Sequence, residues 1–385
     1  MLPALVLAAG TAWTWVADVD LALALRYYDP LAPNPFPLGS RPLWVWLYRW
    51  AIFPSVLLFV GGLLLAAWAY GDPRGQGARR AGVLLMLALL LGPMLLVNGV
   101  FKAGYGRPRP RQVIELGGTQ PFRPVLLPTF RGNEDGFPSG HAAAAYAPLV
   151  LYFVLRRRHG RVAWAALGAS LAFGGVVSYM RMIQGGHFFS DVLWSGGVVY
   201  FSAYAVARWQ GRRDGVVARR FTRDPPPVPA RRRSLVRGGA LLLGLLVLGV
   251  YAGRLPYFTT LEWRVPVPPG VSRGRIAIGA EQGRLRIAER PGLDALHLRV
   301  RIDGRGLPWA AVWDERHADS AAPGDGLTLR YALRERGMLG HYDVRARMEM
   351  PPGFTLDVER LAPDEATTPA AAQGAPESAP SAADQ

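Results

Sequence analysis

The sequence predicts an α-helical membrane protein that crosses the bilayer several times and ends in a small all-β extracytoplasmic domain. Three observations support this fold class. Long uncharged apolar runs fill the first 250 or so positions, arginines collect in alternate connections between the runs, and a two-residue alternation follows residue 254. Half of the 385 residues are apolar, and the mean hydropathy is +0.13. A chain of this length has room for about two domains.

The apolar runs predict six or seven membrane spans. Uncharged runs of about 18 or more residues are typical of a transmembrane helix. The strongest candidates are residues 51–70, 81–100 and 162–180. Weaker candidates are 137–155, 187–207 and 238–253. The first two of these weaker runs contain His141 and Asp191, and arginines flank the third. Residues 2–17 are the least certain span, and without a preceding basic residue they do not resemble a signal peptide.

The basic residues predict the orientation of these spans. The chain has 44 Lys and Arg against 28 Asp and Glu, with a formal net charge of +16. The connections 71–80, 156–161 and 208–237 contain three, four and ten arginines. Alternate connections lie on one side of a membrane, and the positive-inside rule makes that side cytoplasmic. This explanation of the charge is favoured over nucleic-acid binding, so we expect no nucleic-acid partner, although contact with anionic headgroups is a plausible secondary role.

The composition divides the chain into five parts. Residues 1–208 form the membrane-embedded domain with six spans. Residues 209–237, which include Pro225–Pro229, form an extended cytoplasmic linker, and residues 238–254 form an additional span. In residues 255–361, apolar side chains at every second position predict a β-sandwich outside the cytoplasm, with a hairpin turn at Glu281-Gln282-Gly283. The Ala- and Pro-rich tail 362–385 is expected to be disordered.

Three polar clusters lie at the ends of predicted spans. The first extends from Lys102 to Arg109, the second is Pro138-Ser139-Gly140-His141, and the third extends from Arg181 through His187 to Asp191. No span separates the first cluster from the second, and two spans separate the second from the third. All three clusters are therefore expected at the outer face of the membrane, where ionisable groups indicate a functional site.

The residue types in these clusters indicate a site for phosphate or a similar oxyanion. Lys102, Arg109 and Arg181 would converge as cations near two histidines. Ser139 and Gly140 precede a helix-forming run, so a hydroxyl and free backbone N–H groups would face the anion. Arg107 and Arg111 are ambiguous, since either could contact substrate or only solvent.

The same clusters contain a candidate nucleophile and a candidate acid. His187 and Asp191 are four residues apart, so the carboxylate could accept the Nδ1 proton of His187 and leave Nε2 free to attack. His141 could then protonate the leaving oxygen. A zinc site is an alternative for two histidines and an acid, but nearby cations would repel a metal. The chain has no cysteine, which excludes disulfides and thiolate chemistry. Taken singly, each residue also has a structural explanation: interface anchor, helix end or buried hydrogen bond.

Together the clusters resemble the signature of the type-2 phosphatidic acid phosphatase superfamily. That signature is Lys-x6-Arg-Pro, then Pro-Ser-Gly-His, then Arg-x5-His-x3-Asp, and it covers roughly residues 1–208. The resemblance implies a phosphohistidine at His187, acid and base work by His141, and orientation of His187 by Asp191. It also implies that no metal or other cofactor is needed. The phosphate ligands that it implies are Lys102, Arg109, Ser139, Gly140 and Arg181.

Two departures from the family pattern bear on the substrate. Met180 replaces the serine that often precedes the third-motif arginine, and Phe188-Phe189 replaces a common Tyr-Pro. The segment 184–191 is more similar to bacterial lipid A phosphatases than to generic members. The substrate could be lipid A, phosphatidylglycerophosphate, phosphatidate or polyprenyl diphosphate. The loop 101–136 joins two motifs and is expected to shape this choice, with Phe122, Leu126, Leu127 and Phe130 as possible acyl-chain contacts.

The sequence therefore predicts a lipid phosphate phosphatase of the bacterial inner membrane, with its site and β domain facing the periplasm. Rival interpretations are a membrane sugar-phosphate phosphatase, a vanadium haloperoxidase and a non-catalytic scaffold that acts through its β domain. The apolar runs weigh against a haloperoxidase, and the complete residue set weighs against a scaffold. No residue of the β domain identifies its partner.

Overall fold

The computed structural model describes residues 1–32, 34–129, 135–220, 228–279, 283–306, 311–320, 326–336 and 339–360. It divides into a helical unit, Met1–Tyr251, and a β unit, Ala252–Gln385. The mostly helical membrane architecture with a C-terminal β region confirms the predicted fold class. The predicted tail 362–385, the turn residues 281–282 and Phe130 lie outside the described residues.

The helical unit begins with two short helices and two long helical stretches. Helices α1 and α2 are bent by 74° at Ala17-Asp18, where Asp18 has a φ of 44°. Helices α3 and α4 continue into each other, and α5 extends as a π-helical segment around Pro93, whose ring removes one helical hydrogen bond. The bounds are α1 Leu2–Val16, α2 Val19–Arg26, α3 Pro42–Trp50, α4 Phe53–Trp68, α5 Gln76–Leu89 and the π segment Leu90–Phe101.

The second half of this unit supplies the remaining helices. After the one-turn helix α6, a long connection leads to the helical segment Gly140–Leu155, which contains α7, a 3₁₀ turn and α8. The bounds are α6 Lys102–Gly104, α7 Gly140–Tyr146, α8 Val150–Leu155, α9 Gly160–Ile183, α10 Phe189–Arg220 and α11 Ala230–Ala252.

Four described helical stretches are long and apolar enough to cross a membrane. They are Pro42–Trp68, Gln76–Phe101, Gly160–Ile183 and Ala230–Ala252, and the bent pair α1–α2 could form a fifth span. The segment Gly140–Leu155 is apolar but shorter. The full count of six or seven spans therefore stays a prediction.

The linker prediction needs correction. Residues 209–237 were expected to be extended, but α10 continues to Arg220 and α11 begins at Ala230. Arginine is a good helix former, and the stretch before Pro225 contains no proline to stop α10. Prolines 225–227 lie outside the described residues.

The β unit consists of two four-stranded sheets with a shared apolar core. One sheet has the order β1-β4-β7-β3 and the other β5-β6-β2-β8. Alternating residues such as Leu298, Val300, Ile276 and Leu329 are buried between the sheets, as the alternation predicts. The strand bounds are β1 Leu255–Pro266, β2 Arg273–Gly279, β3 Gly283–Glu289, β4 Ala295–Gly306, β5 Ala311–Ser320, β6 Leu327–Arg336, β7 Leu339–Met350 and β8 Thr355–Arg360.

The predicted hairpin between β2 and β3 is wrong. Strand β2 pairs in parallel with β6 and β8, whereas β3 pairs in parallel with β7 in the other sheet. A two-residue alternation determines which face of a strand is buried, but it does not determine which strand is its neighbour.

Candidate active site

The three polar clusters meet at one end of the helical unit. Lys102 lies at the end of the π segment, Ser139 begins the segment Gly140–Leu155, Arg181 lies in the last turn of α9, and His187 precedes α10. A Cβ atom on Gly140 would be 3.4 Å from Lys102 Nζ. The His141 ring lies within Coulombic reach of Lys102, Arg109, Arg181 and His187. The fold thus brings the predicted residues together from three separate stretches of sequence.

The backbone of Gly136 fixes the tautomer of His187. The His187 ring is buried, and its Nδ1 is 2.7 Å from the carbonyl oxygen of Gly136. A carbonyl oxygen only accepts hydrogen bonds, so Nδ1 carries a proton, and in the neutral ring Nε2 keeps its lone pair. This is the tautomer that a nucleophilic Nε2 needs.

The expected partner of Nδ1 was Asp191, and this part of the prediction is wrong. The Asp191 carboxylate is 3.7 Å from Nδ1, beyond hydrogen-bonding distance. Helix α10 begins only at Phe189, so His187 lies before the first turn, and its ring is a neighbour of the Asp191 carboxylate without a hydrogen bond between them.

Asp191 instead holds the backbone next to His187. Its Oδ2 accepts the N–H of Phe188 at 2.7 Å, and its Oδ1 accepts a hydrogen bond from Arg107. A carboxylate in the first helical turn that reaches back to the residue before the helix is half of a capping box. Asp191 therefore contacts His187 through the backbone that carries it.

Arg107 lies in a buried ion network below His187. Its guanidinium contacts Asp191, donates to Asp20 at 2.8 Å and donates to the Ser190 hydroxyl at 2.7 Å. Burial alone would lower the pKa of Arg107, but the carboxylates of Asp191 and Asp20 outweigh it and raise that pKa. The guanidinium stays charged, and it contacts the Phe188 ring at 4.8 Å rather than facing the pocket.

Asp20 connects the N-terminal helix pair to this network. It lies on α2, and its side chain is 2% exposed. It accepts the backbone N–H of Ser190 at 2.8 Å and the Ser190 hydroxyl. Because a buried carboxylate is costly unless it is paired, this contact ties α2 to the start of α10.

Arg109 and Arg181 are both held by neighbouring side chains at the pocket. Arg109 forms an ion pair with Asp135 at 2.6 Å. Burial would raise the pKa of Asp135, but the charges of Arg109 and Lys102 outweigh it and lower that pKa. Arg181 donates to Gln184 at 2.6 Å and lies over the Tyr48 ring at 4.7 Å.

His141 contacts Tyr48, the ring that also contacts Arg181. The two rings are stacked with centroids 4.1 Å apart, which fixes the imidazole plane. The His141 Nε2 is buried and has no hydrogen-bond partner in the described part of the chain. The Ser139 hydroxyl caps the adjacent helix by accepting the Ala142 N–H at 3.3 Å. A Cβ on Gly140 would lie 2.8 Å from Asn98 Oδ1, so a larger residue would have to displace that side chain.

This arrangement is chemically suited to a phosphoryl group. It combines three cations, a helix start and a histidine with an unprotonated Nε2. Within the described ranges, no group of three or more His, Cys, Asp and Glu side chains could hold a metal ion.

Sequence reasoning missed several residues of the site. Gly136, Tyr48 and Asp20 contact His187, His141 and Arg107, respectively, from distant parts of the chain. Arg107 was ambiguous and is buried, whereas the Arg111 side chain is exposed and its N–H donates to Gly185 O at 3.2 Å. The available sequence signal for Asp20 was the presence of an acidic residue within the apolar stretch that forms α1 and α2.

Comparison with known proteins identifies the family. Residues 81–214 match the model of the PAP2 superfamily. The chain is 33% identical over 191 residues to the protein named Lipid A 4'-phosphatase of Francisella tularensis subsp. novicida. These residues cover 49% of this chain and 85% of that protein. It is 38% identical over 119 residues to the protein of that name in Rhizobium leguminosarum, covering 30% of this chain and 49% of that one.

A solved structure is also similar. It is the transmembrane PAP2 type phosphatidylglycerolphosphate phosphatase from Bacillus subtilis, with 16% identity and a TM-score of 0.29 over 54% of this chain and 92% of that one. Because the family model spans all three polar clusters and a relative at 33% identity is matched over most of its length, the chain belongs to the PAP2 superfamily and is a multi-pass membrane phosphatase.

Proposed function

We propose that this phosphatase removes a phosphate group from a lipid of the lipid A class through a phosphohistidine intermediate on His187. The observation that carries the mechanism is the hydrogen bond from His187 Nδ1 to Gly136 O, which leaves Nε2 unprotonated beside Lys102, Arg109 and Arg181. The names of the matched relatives support lipid A as the substrate class.

In the first step, His187 Nε2 attacks phosphorus and the P–O bond to the lipid breaks. His141 donates a proton to the leaving oxygen, which departs as the lipid hydroxyl. The imidazolium formed at His187 keeps its Nδ1–H on the Gly136 carbonyl. The stacked Tyr48 ring holds His141 in the plane needed for this transfer.

In the second step, a water molecule attacks the phosphohistidine. His141, now neutral, accepts the proton of that water, the N–P bond breaks, and inorganic phosphate leaves. The imidazole of His187 returns to its starting tautomer, so one cycle consumes one water molecule and no other reactant.

Five residues are proposed to bind the transferred phosphate. Lys102, Arg109 and Arg181 balance its charge, and Ser139 and Gly140 offer donors at the start of a helix. Removing one well-placed donor of this kind typically slows a reaction by about 100- to 1,000-fold. We expect losses in that range for single neutral substitutions of Arg109 or Arg181.

We further propose that the site faces the periplasm at the surface of the inner membrane. The arginine-rich connections support this orientation, since the predicted spans put the polar clusters on the opposite side from them. The second candidate substrate class is a soluble sugar phosphate. A site at the end of membrane helices favours a lipid over such a substrate.

The decisive experiment measures phosphate release by the purified full chain, with chelator and without added metal. The substrates are lipid A, phosphatidylglycerophosphate, phosphatidate, polyprenyl diphosphate and a soluble sugar phosphate. His187→Ala should abolish release, and His159→Ala, which changes an exposed histidine in a connection, should leave it intact. Release by His187→Ala, or release that requires metal, would refute the mechanism. Release only from the sugar phosphate would refute the lipid substrate.

The phosphohistidine is tested with His141→Ala and a phosphate ester that has an activated leaving group. Such a substrate needs no acid for the first step, but the second step still needs a base. The variant should therefore accumulate a base-stable, acid-labile phosphoprotein. Addition of His187→Ala should prevent this labelling, and labelling that persists would contradict the assignment of the nucleophile.

A further inference from the structure

Three hydrogen-bond donors converge on the carboxylate of Asp20, a residue of α2. Its Oδ1 accepts the backbone N–H of Ser190 at 2.8 Å. Its Oδ2 accepts the Ser190 hydroxyl and Arg107 Nη2, the latter at 2.8 Å. Asparagine has the same shape but only one oxygen, so one of the two nitrogen donors would lose its acceptor. The position therefore calls for a carboxylate and not for a polar side chain in general.

The buried charges of this network do not cancel. The carboxylates of Asp20 and Asp191 contribute two negative charges, and Arg107, which contacts both, contributes one positive charge. These side chains are 0% to 2% exposed, so dissolved ions screen the charges little. The backbone N–H groups of Phe188 and Ser190, at the start of α10, donate to the two carboxylates. The positive end of the helix dipole thus favours the excess negative charge.

Asp191 is the carboxylate of this network that faces His187. Its Oδ2 is 3.7 Å from His187 Nδ1, whereas Arg107 contacts the other oxygen, Oδ1. The proposed first step turns the His187 ring into an imidazolium, beside three cations of the pocket that disfavour positive charge there. A negative charge on Asp191 opposes this cost. Arg107 would cancel that charge if Asp191 were its one counter-ion, and Asp20 supplies the second counter-ion.

We propose that Asp20 is a positioning residue for the phosphatase reaction, because it balances Arg107 and leaves the charge of Asp191 available to His187. The inference rests on His187 as the proposed nucleophile, and it extends the site to α2, which lies outside the three polar clusters. The contact also fixes the guanidinium, since Nη2 is held by Asp20 while Nη1 donates to Asp191 and to Ser190. Asp20 acts on His187 through Arg107 and Asp191, not by contact with the substrate.

The helix pair that carries Asp20 has other contacts with α10. The Trp194 indole donates to the Thr11 hydroxyl at 3.1 Å, and the ring of Trp13 packs edge-on against Phe189 with centroids 5.9 Å apart. Substitution of Asp20 leaves both contacts in place. We therefore expect α1 and α2 to stay against α10 when the charge of Asp20 is removed.

The test measures kcat and KM of the purified full chain with the substrate of the panel above that the parent hydrolyses fastest. Asp20→Asn should lower kcat by about 10- to 100-fold, with KM within about twofold, because the nucleophile is affected while the phosphate ligands remain. The matched control is Asp18→Asn, which removes the same charge from an exposed position two residues earlier. Asp18 has a φ of 44°, which asparagine tolerates, so both constants should stay within about twofold.

A double-mutant cycle shows whether Asp20 acts through Arg107. In the Arg107→Gln background, Asp20→Asn should change kcat by no more than about twofold, since the charge that Asp20 balances is already gone. If Asp20 only stabilised the packing of α2 against α10, the two losses of kcat would multiply instead. Thermal inactivation of each variant reports its stability, and kcat is expressed per monodisperse enzyme, so partial unfolding does not lower it.

Asp20→Glu keeps the negative charge and is the second variant if Asp20→Asn does not fold. It should retain a higher kcat than Arg107→Gln, with KM within about twofold of the parent. An unchanged kcat in Asp20→Asn, losses that multiply in the double variant, or a kcat of Asp20→Glu as low as that of Arg107→Gln would each overturn the proposal. His187→Ala in the same assay separates the two inferences. Release by His187→Ala would refute the nucleophile itself, whereas loss in His187→Ala with full activity in Asp20→Asn would refute the role of Asp20 alone.

Discussion

At the residue scale, the orientation of His187 depends on Arg107 in two ways. The Arg107 side chain holds Asp191, which accepts the Phe188 N–H, and the Arg107 carbonyl accepts the Gly136 N–H at 2.9 Å. Gly136 in turn accepts the hydrogen bond from His187 Nδ1. Arg107 is therefore a positioning residue that supports both sides of the nucleophile without facing the phosphate.

Because Arg107 positions His187 whereas Arg109 is proposed to bind phosphate, we expect substitutions of these two arginines to have different kinetic effects. Arg107→Gln should lower kcat by about 100-fold or more with little change in KM, because His187 is misaligned while the phosphate ligands remain. Arg109→Gln should raise KM as well as lower kcat. Steady-state kinetics with lipid substrate measure both, and Arg107→Lys should recover part of the activity. A raised KM for Arg107→Gln but not for Arg109→Gln would contradict these two roles.

Asp135 forms an ion pair with Arg109, the residue to which we expect the substrate phosphate to bind. Because Arg109 and Lys102 lower the pKa of Asp135, its carboxylate stays charged at neutral pH, and the ion pair is lost only when the pH falls through that lowered pKa. Asp135→Asn should therefore lower KM several-fold across about pH 5–8, with kcat unchanged. Glu115→Gln, which neutralises an exposed acid of the same connection, serves as the control. A raised KM in Asp135→Asn would show that the carboxylate helps binding instead.

The site was predictable where spacing within a motif determines chemistry, and unpredictable where tertiary contact does. Lys102, Arg109, Ser139 and Arg181 are recognisable because an oxyanion needs cations and helix-start donors. The partner of His187 Nδ1 is a backbone carbonyl 51 positions away, and every residue type has such a carbonyl. Asp20 is 87 positions from Arg107, and only the packing of α2 against α10 brings them together.

At the element scale, helix packing around Tyr146 requires a glycine in α9. A Cβ on Gly174 would lie 2.1 Å from the Tyr146 ring, whereas a Cβ on the next residue, Gly175, would meet nothing within 4 Å. Tyr146 is also hydrogen-bonded to Ser178 of the same helix at 3.3 Å. Close approach of membrane helices commonly depends on such small residues.

These adjacent glycines provide a matched pair of substitutions. Gly174→Ala should lower the temperature of half-inactivation, since α7 and α9 must separate to admit the methyl group. Gly175→Ala should leave it unchanged or raise it, because alanine favours a helix by up to about 1 kcal/mol over glycine. Thermal inactivation of both purified variants decides the point, and equal behaviour would show that the packing of α9 tolerates expansion.

The local sequence predicts the location of the helices and the buried face of the strands, but not how the strands pair. Apolar runs locate the helices, because burial in lipid depends on local composition, but three helical stretches, Pro42–Trp68, Phe189–Arg220 and Ala230–Ala252, extend beyond the predicted runs by 8 to 13 residues at one end. The strand alternation correctly identifies buried positions such as Leu298 and Val300. The pairing of β2 with β6 and β8 connects residues 53 and 82 positions apart, respectively, and such partners leave no local pattern.

At the scale of the whole molecule, arginines collect in alternate connections between the apolar helices. The arginine-rich connections 71–80 and 156–161 alternate with the connections that contain the polar clusters. The positive-inside rule predicts opposite sides of the membrane for the two sets. If both α10 and α11 cross the membrane, the two spans between the last cluster and Leu255 put the β unit on the same side as the site. Orientation is therefore a separate prediction that needs its own measurement.

The absence of cysteine makes that measurement direct. Thr119→Cys lies in the connection between Lys102 and Ser139, and Gly160→Cys lies in an arginine-rich connection; both positions are exposed. In cells whose outer membrane is permeable and whose inner membrane is closed, an impermeant maleimide should label Thr119→Cys and Thr260→Cys, a third exposed position, on β1. Gly160→Cys should react only after the inner membrane is opened, because four arginines beside it hold that connection in the cytoplasm. Labelling of Gly160→Cys in intact cells with protection of Thr119→Cys would invert the topology and place the phosphatase site in the cytoplasm. If Thr260→Cys alone were protected, α11 would not cross the membrane, and the β unit would lie on the side opposite the site.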